Sequence, residues 1–193
     1  MRVAAGAIAQ KILGSKVKIK GALIQIGKKK IDVKRWDWEE LKNNDFFCPD
    51  KLTVPRWENY LKSVRKNGSS IGAIIQINVS GVPMGLGEPV FDKVEALLAK
   101  AIMSIPAVKG FEIGSGFKSA ELSGEENADE IRIIKDKVSF KSNNSGGSLG
   151  GITSGQDIVI KFAVKPTSSI LTKKKTIDVD GENTDIRTKG RHD

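Results

Sequence analysis

A glycine-dense loop that leads into a regularly alternating strand constrains this chain more than any other stretch, and it lies between Asn143 and Ser169. Five glycines fall between positions 146 and 155. Glycine adopts backbone angles that other residues avoid, so the amides of such a loop can approach an anion closely. From Asp157 to Lys165 apolar and polar residues alternate, which is the period of a half-buried strand. The sequence therefore predicts a strand that follows a tightly turning loop and ends on a cation.

The end of this strand carries a positive charge beside three hydroxyl groups. Lys165 is followed by Pro166, which suits the end of a strand because it has no amide hydrogen to donate. Thr167 to Ser169 then supply the hydroxyls. We interpret residues 143–169 as a phosphate-handling clamp. The alternative, which these residues leave open, is an ordinary flexible connection, because glycine and serine are common in turns.

Length and composition limit the class of protein. The 193 residues are 39% hydrophobic and 28% charged, so we expect one domain with a core over residues 1–193. No apolar run approaches the ~20 residues that cross a bilayer, and no secretory signal is evident, so we predict a cytoplasmic protein without a membrane partner. Cys48 and His192 are the only cysteine and histidine, and they cannot build the usual zinc site. We therefore expect no metal.

The formal net charge of +9 favours an anionic partner, whether a nucleic acid, a membrane surface or a metabolite. The excess is regional, because residues 16–35 hold eight Lys or Arg against one acid, whereas residues 112–136 hold seven acids. Aromatic residues make up 6% and do not alternate with basic ones, unlike a base-stacking surface. We predict no nucleic-acid partner. A basic module that binds a polyanion or nucleic acid remains the alternative function.

Hydrophobic periodicity predicts the other elements. Helices are expected over 1–13, 36–44, 54–66 and 90–103, strands over 17–27, 71–79 and 157–165, and a hairpin over 131–141. Thr53 is expected to cap the third helix. The small residues of helix 1–13 and the broad apolar stripe of helix 90–103 predict that both are closely packed, the latter as a core helix.

Several longer motifs follow one another along the chain. They read GVPMGLGEPVFDK, AIMSIPAVKGFEIGSGF, NNSGGSLGGITSGQDI, KPTSSI and TKGRHD. In this order they resemble chorismate synthase, and the resemblance covers essentially the whole chain. MRVAAGAIA resembles the tail of that family's Arg-Ser-Ser-Ala-Arg segment and its helix, and GRHD resembles the start of its C-terminal signature. We therefore expect the N-terminal part and the C-terminal end of the family's chain to lie outside these residues.

The resemblance implies a fold and an activity. The fold is α+β, a β-α-β sandwich with helices packed between antiparallel sheets, usually assembled as a homotetramer. The activity is that of a carbon–oxygen lyase acting on phosphate. It is the anti-1,4-elimination of phosphate from 5-enolpyruvylshikimate-3-phosphate to give chorismate, in the shikimate pathway of aromatic amino acid biosynthesis, and it depends on reduced flavin mononucleotide (FMN).

The resemblance also implies which residues contact the cofactor. They are Pro106, Ala107, Gly150, Lys165, Pro166, Thr167, Ser168, Ser169 and Arg191. Arg191 is expected to contact the substrate as well. Pro106 stands where the family has Asn, so only its backbone is expected to contact the flavin. The family's catalytic histidines match positions before Met1, so we expect no catalytic residue in this segment, a structural role for His192, and no activity from the 193 residues alone.

Overall fold

The computed structural model describes residues 1–189, which form helices and small sheets. The helices are α1 (Arg2–Leu13), α2 (Val54–Lys66), α3 (Val94–Met103) and α4 (Gly124–Asn127). The strands are β1 (Lys18–Ile26), β2 (Lys29–Lys30), β3 (Ala73–Ser80), β4 (Val108–Ile113), β5 (Ile131–Ile134), β6 (Lys137–Phe140), β7 (Ser148–Leu149), β8 (Ile152–Thr153), β9 (Ile158–Val164), β10 (Lys174–Ile177) and β11 (Asn183–Ile186). One sheet has the order β2-β1-β3-β9-β4, and β5–β6, β7–β8 and β10–β11 are antiparallel pairs. These elements confirm the α+β fold class.

The chain divides into two compact units. The first unit comprises Met1–Gly21, Gln76–Pro106 and Gly110–Phe162. The second unit comprises Ala22–Ile75, Ala107–Lys109 and the described residues from Ala163 to Lys189. The expectation of a single domain over residues 1–193 stays a prediction.

The second unit has a core centred on Trp57. The tryptophan is fully buried and packs with the buried residues Ile26 and Cys48. Its ring meets that of Phe46 edge-on at a centroid distance of 6.0 Å, and its Nε1 donates to the carbonyl of Lys29 at 3.0 Å. A buried indole needs such a partner for its N–H. Trp57 lies on α2, whose observed bounds match the predicted helix 54–66.

A buried carboxylate lies just before α2, and the sequence patterns did not predict it. Asp50 is fully buried and accepts hydrogen bonds from Arg35 Nε at 2.9 Å and Arg35 Nη2 at 2.7 Å. The amides of Asp32 and Leu52 also donate to it. The paired Arg35 guanidinium is the main reason that the pKa of Asp50 lies well below its usual range, and it outweighs the opposing effect of burial.

Asp50 also explains why the predicted helix cap is wrong. Thr53 precedes α2, but its side chain accepts no hydrogen bond from the helix. Its hydroxyl instead donates to Asp50 Oδ2 at 2.7 Å. A buried carboxylate has several lone pairs that require donors, so the hydroxyl satisfies the anion instead of the helix end.

The helices of the first unit are more exposed than the sequence predicts. α3 begins at Val94, later than the predicted residue 90, and neither α1 nor α3 contains a buried residue. Leu97 on the apolar stripe of α3 is 46% exposed. The guanidinium of Arg2 donates to the hydroxyl and carbonyl of Ser104. Within residues 1–189, the predictions that α1 is closely packed and that α3 is a core helix are therefore wrong. An apolar stripe on a helix shows only that this helix face can be covered, not that another element covers it.

Of the remaining predicted elements, some agree with the structure and others do not. β9 alternates as predicted, with Ile158, Ile160 and Phe162 buried. In β3 all eight residues are half-buried, so the apolar and polar residues that alternate from Ile71 to Val79 do not separate into a buried and an exposed face. The hairpin over 131–141 is confirmed as β5–β6. The predicted helix over 36–44 is reduced to a 3-10 turn at Glu40–Lys42.

No helix within residues 1–189 combines the length and the apolar character needed to span a membrane.

We predict that Asp50→Asn lowers the free energy of unfolding by about 2 to 4 kcal/mol near neutral pH, because it leaves Arg35 and buried donors without an anion. Asp32→Asn removes the exposed partner of the same Arg35 and should cost less than about 1 kcal/mol. Urea unfolding of the three proteins measures both. A carboxyl group whose pKa is lower in the folded than in the unfolded protein stabilises the fold at pH values above its unfolded pKa. This stabilisation is lost as the pH falls toward the folded pKa. The Asp50 difference should therefore shrink as the pH falls below about 3.9. Equal losses for both variants would contradict this account.

Truncating an apolar side chain to alanine should destabilise the protein much more at Trp57 in the second unit than at Leu97 in the first. Trp57→Ala is expected to cost about 3 to 5 kcal/mol, because it removes a fully buried side chain and leaves a cavity. Leu97→Ala on the exposed stripe of α3 should cost less than about 1 kcal/mol in the same 193 residues. Thermal or urea unfolding compares them. A larger loss at Leu97 would show that α3 is covered after all.

Candidate functional site

A cavity in the second unit brings together most of the residues predicted to contact a cofactor. We call it the Lys165 cavity, and its volume is about 910 Å³. Five of the nine predicted residues line it, namely Ala107, Lys165, Thr167, Ser168 and Ser169. The other lining residues are Leu61, Val64, Arg65, Gly68, Ser69, Ser70, Ile71, Val164, Ile170 and Leu171. Segments that are far apart in sequence thus line one cavity.

The lining of the Lys165 cavity has a defined chemical character. The aliphatic residues are Leu61, Val64, Ile71, Val164, Ile170 and Leu171, and the hydroxyl-bearing residues are Ser69, Ser70, Thr167, Ser168 and Ser169. Arg65 and Lys165 supply two positive charges, and the described lining contains no carboxylate. Such a cavity suits a ligand with an apolar body, several hydroxyl or carbonyl groups and an anionic end.

Two glycines let the wall formed by the end of α2 approach the wall formed by the end of β9. Gly68 has a φ of +62°, which terminates α2, and its carbonyl accepts from the amide of Leu171 at 3.0 Å. A Cβ at Gly72 would lie 2.7 Å from the carbonyl oxygen of Val164 and 3.1 Å from Cδ of Pro166. A side chain at Gly72 would therefore push the two walls apart.

The Lys165–Ser169 segment is held by bonds to its backbone. The amide of Lys165 donates to the carbonyl of Ala107 at 2.9 Å. The hydroxyl of Ser70 donates to the carbonyl of Thr167 at 2.6 Å, and the ammonium of Lys174 donates to the carbonyl of Ser168. These three bonds use backbone groups of the segment and leave its side chains uncommitted.

The Lys174 contact corrects an expectation from the sequence. A run of lysines such as Lys173–Lys175 is usually a solvated face, so the pattern predicts that Lys174 lies in solvent. It is half-buried and contacts Ser168. The run Lys173–Lys175 belongs to the hairpin β10–β11, and strand alternation turns its central member inward while Lys175 is exposed.

The polar side chains of the segment are available to a ligand. Within residues 1–189, the hydroxyls of Thr167 to Ser169 and the ammonium of Lys165 make no hydrogen bond or ion pair. Lys165 is exposed, whereas Thr167 and Ser169 are half-buried. Partly desolvated hydroxyls without a partner are better donors to an anion than fully hydrated ones. Pro166 is exposed and does not line the cavity.

The glycine loop lies in the first unit and is bonded to itself and to its neighbours. Ser148 Oγ donates to Glu95 Oε2 at 2.6 Å, Ser145 Oγ to Asp129 Oδ2 at 2.7 Å, and Thr153 Oγ1 to the carbonyl of Pro83 at 2.6 Å. These hydroxyls, which lie within the segment 143–169 interpreted as a clamp, already donate to protein acceptors. The loop is therefore held by hydrogen bonds to neighbouring segments, and its role in binding an anion stays a prediction.

Gly150 differs from the rest of this loop. It lies in the turn between β7 and β8, it is exposed, and open space surrounds the position of a Cβ. Pro106 is exposed in the first unit. Arg191 and His192 lie outside the described residues. The contacts predicted for Pro106, Gly150 and Arg191 therefore stay predictions.

Sequence reasoning missed the contribution of Arg65, Ser69 and Ser70. A signal for Arg65 is present in the sequence, because Leu61, Val64, Arg65 and Gly68 have the i, i+3, i+4, i+7 spacing of one helix face. An arginine on a helix face that otherwise carries apolar residues departs from the pattern, and this departure is the signal that could have singled out the position. Ser69 and Ser70 carry no comparable signal, because serines after a helix end are common in turns.

The described residues hold no other evident reactive or metal-binding group. Within residues 1–189, no cluster of His, Cys, Asp and Glu has the arrangement of a metal site. Burial raises the pKa of the Cys48 thiol to about 11, so this cysteine is a neutral core residue near pH 7.

Comparison with known proteins places this architecture in a family. The family model for chorismate synthase matches residues 1–193. A chorismate synthase of Paramagnetospirillum magneticum is 58% identical over 197 residues, which is 100% of this chain and 54% of the relative. One from a Bradyrhizobium species is 60% identical over 192 residues, covering 100% of this chain and 53% of the relative. The chain thus spans about half the length of the curated relatives it matches.

A solved structure agrees with the sequence comparisons. A crystal structure of chorismate synthase superimposes with a TM-score of 0.80 at 32% identity, over 86% of this chain and 54% of that chain. The family model covers every residue of the sequence, and the fold of the described part agrees with it. The chain belongs to the chorismate synthase family.

Proposed function

We propose that this chain supplies the flavin-binding part of a chorismate synthase, a lyase that eliminates phosphate and a proton from 5-enolpyruvylshikimate-3-phosphate to give chorismate. The observation that carries the proposal is the Lys165 cavity, which collects five of the nine residues that the family resemblance assigns to the flavin. Family membership supports the reaction. It does not support the alternative of a polyanion- or nucleic-acid-binding module.

The residues of the Lys165 cavity fit reduced FMN. The cofactor has an apolar ring system, a hydroxylated chain and a phosphate. The cavity offers aliphatic side chains, five hydroxyl-bearing residues and two cations, and no carboxylate among its described lining residues. A volume of about 910 Å³ lies within the usual range for small-molecule sites. Each part of the cofactor therefore finds a group of matching chemistry.

The residues have separate roles in this proposal. Lys165 neutralises the phosphate, and Thr167 to Ser169 donate hydrogen bonds to the phosphate or accept them from the hydroxylated chain. The aliphatic lining excludes water, which strengthens those charged contacts. Reduced flavin held by these residues would supply transient electron donation to the substrate, with no net oxidation, because substrate and products are at the same oxidation level.

The remaining features of the proposed enzyme rest on the family resemblance and on the sequence, not on the geometry of the cavity. The substrate carries one phosphate and two carboxylates, which the net charge of +9 attracts. Arg191 is proposed to contact both the flavin and the substrate, and Pro106 and Gly150 to contact the flavin through their backbones. A homotetramer in the cytoplasm is proposed on the same ground.

We predict that Lys165→Ala weakens FMN binding by about tenfold or more, because it removes a charged partner of a partly desolvated phosphate. Lys175→Ala is the matched control, since it removes the same charge from an exposed site. Flavin fluorescence quenching at fixed ionic strength measures both in the protein at its natural length. Equal losses in the two variants would indicate a diffuse charge effect and would refute a specific site.

Turnover should require more chain than these residues. We predict that residues 1–193 alone form no chorismate from 5-enolpyruvylshikimate-3-phosphate and reduced flavin, since the family relatives are about twice as long. The protein at its natural length should be active in the same assay. Appreciable turnover by a chain whose mass confirms 193 residues would show that the catalytic groups lie within it.

A further inference from the structure

Arg65 is a cation of the Lys165 cavity to which the family resemblance assigns no role. It lies in the last turn of α2 and borders the same cavity as Lys165, although the two residues are 100 positions apart. Within residues 1–189, its guanidinium makes no hydrogen bond or ion pair. Arg65 is exposed, so water solvates its guanidinium in the unliganded cavity, and the guanidinium is free to exchange that water for an anion.

The position of Arg65 on α2 argues for a specific contact. It occupies the helix face of Leu61, Val64 and Gly68, all of which line the cavity. Lys66 is the next residue, carries the same charge and lies in the same last turn, but it does not line the cavity. Any benefit of a cation near the helix C-terminus is shared by both residues. Only Arg65 combines that benefit with access to a ligand.

We propose that Arg65 is a second phosphate-contacting residue of the Lys165 cavity and acts together with Lys165 on a phosphate monoester. The guanidinium can bind two phosphate oxygens in a bidentate manner, whereas the ammonium of Lys165 acts as a compact charge. The uncommitted hydroxyls of Thr167 to Ser169 complete the set of donors. The identity of the phosphate as that of the flavin rests on the function proposed above, and the phosphate of the substrate is the other source of the same chemistry.

The test compares Arg65→Ala and Lys66→Ala with the unaltered protein at its natural length and at fixed ionic strength. Four probes are titrated: inorganic phosphate, FMN, riboflavin, which lacks the phosphate, and 5-enolpyruvylshikimate-3-phosphate. Arg65→Ala should weaken the binding of inorganic phosphate and FMN by about tenfold and leave riboflavin unchanged. Arg65→Lys keeps the charge and should recover part of the loss. Circular dichroism checks that every variant is folded.

Each outcome decides a separate point. If Arg65→Ala weakens 5-enolpyruvylshikimate-3-phosphate and leaves FMN unchanged, the proposal stands and the phosphate is that of the substrate. If inorganic phosphate binds through Arg65 but no flavin binds, the proposal stands while the flavin-binding function fails. Equal losses for Arg65→Ala and Lys66→Ala, an equal loss for riboflavin and FMN, or no phosphate binding by the unaltered protein would overturn it.

Discussion

The hydrogen bond from the hydroxyl of Ser70 to the carbonyl of Thr167 joins two segments that the chain separates by 97 positions, and the Lys165 cavity depends on it. The amide of Leu171 donates to the carbonyl of Gly68 and joins the same two segments, and we call the contact between them the seam. Gly72 makes the seam possible, because a Cβ there would meet the carbonyl oxygen of Val164 at 2.7 Å. The Lys165–Ser169 segment is thus held through its backbone groups, so its side chains need not hold the walls together.

The charged groups of the second unit fall into a buried structural anion and the cations that line the Lys165 cavity. Asp50 is buried but saturated with donors, the first of them Arg35, so it is a structural anion that no cationic side chain of the cavity has to neutralise. The described lining of the Lys165 cavity contains two cations and no acid. Both cations are exposed, so water solvates them without a ligand, and together they present a positive charge to an anion that enters the cavity.

Local patterns predicted the parts of the site that one segment determines. Alternation predicted β9 and the placement of Lys165 at its end, and helical periodicity predicted α2 with its observed bounds. Such local patterns cannot predict contacts between segments that are distant in sequence. Neither the bond of Lys174 to Ser168 nor the shared cavity of Arg65 and Lys165 has a local signature, because each depends on how the chain returns. The exposure of α3 was mispredicted for the same reason, since a stripe does not reveal what covers it.

Hydrogen–deuterium exchange with and without FMN, on the protein at its natural length, tests the central claim most directly. The account predicts slower exchange in residues 68–71 and 165–171, because a ligand in the Lys165 cavity would shield both walls and stabilise the seam between them. The hairpin β5–β6, in the first unit, should exchange at an unchanged rate. Protection confined to other parts of the chain, with residues 165–171 unaffected, would contradict the account.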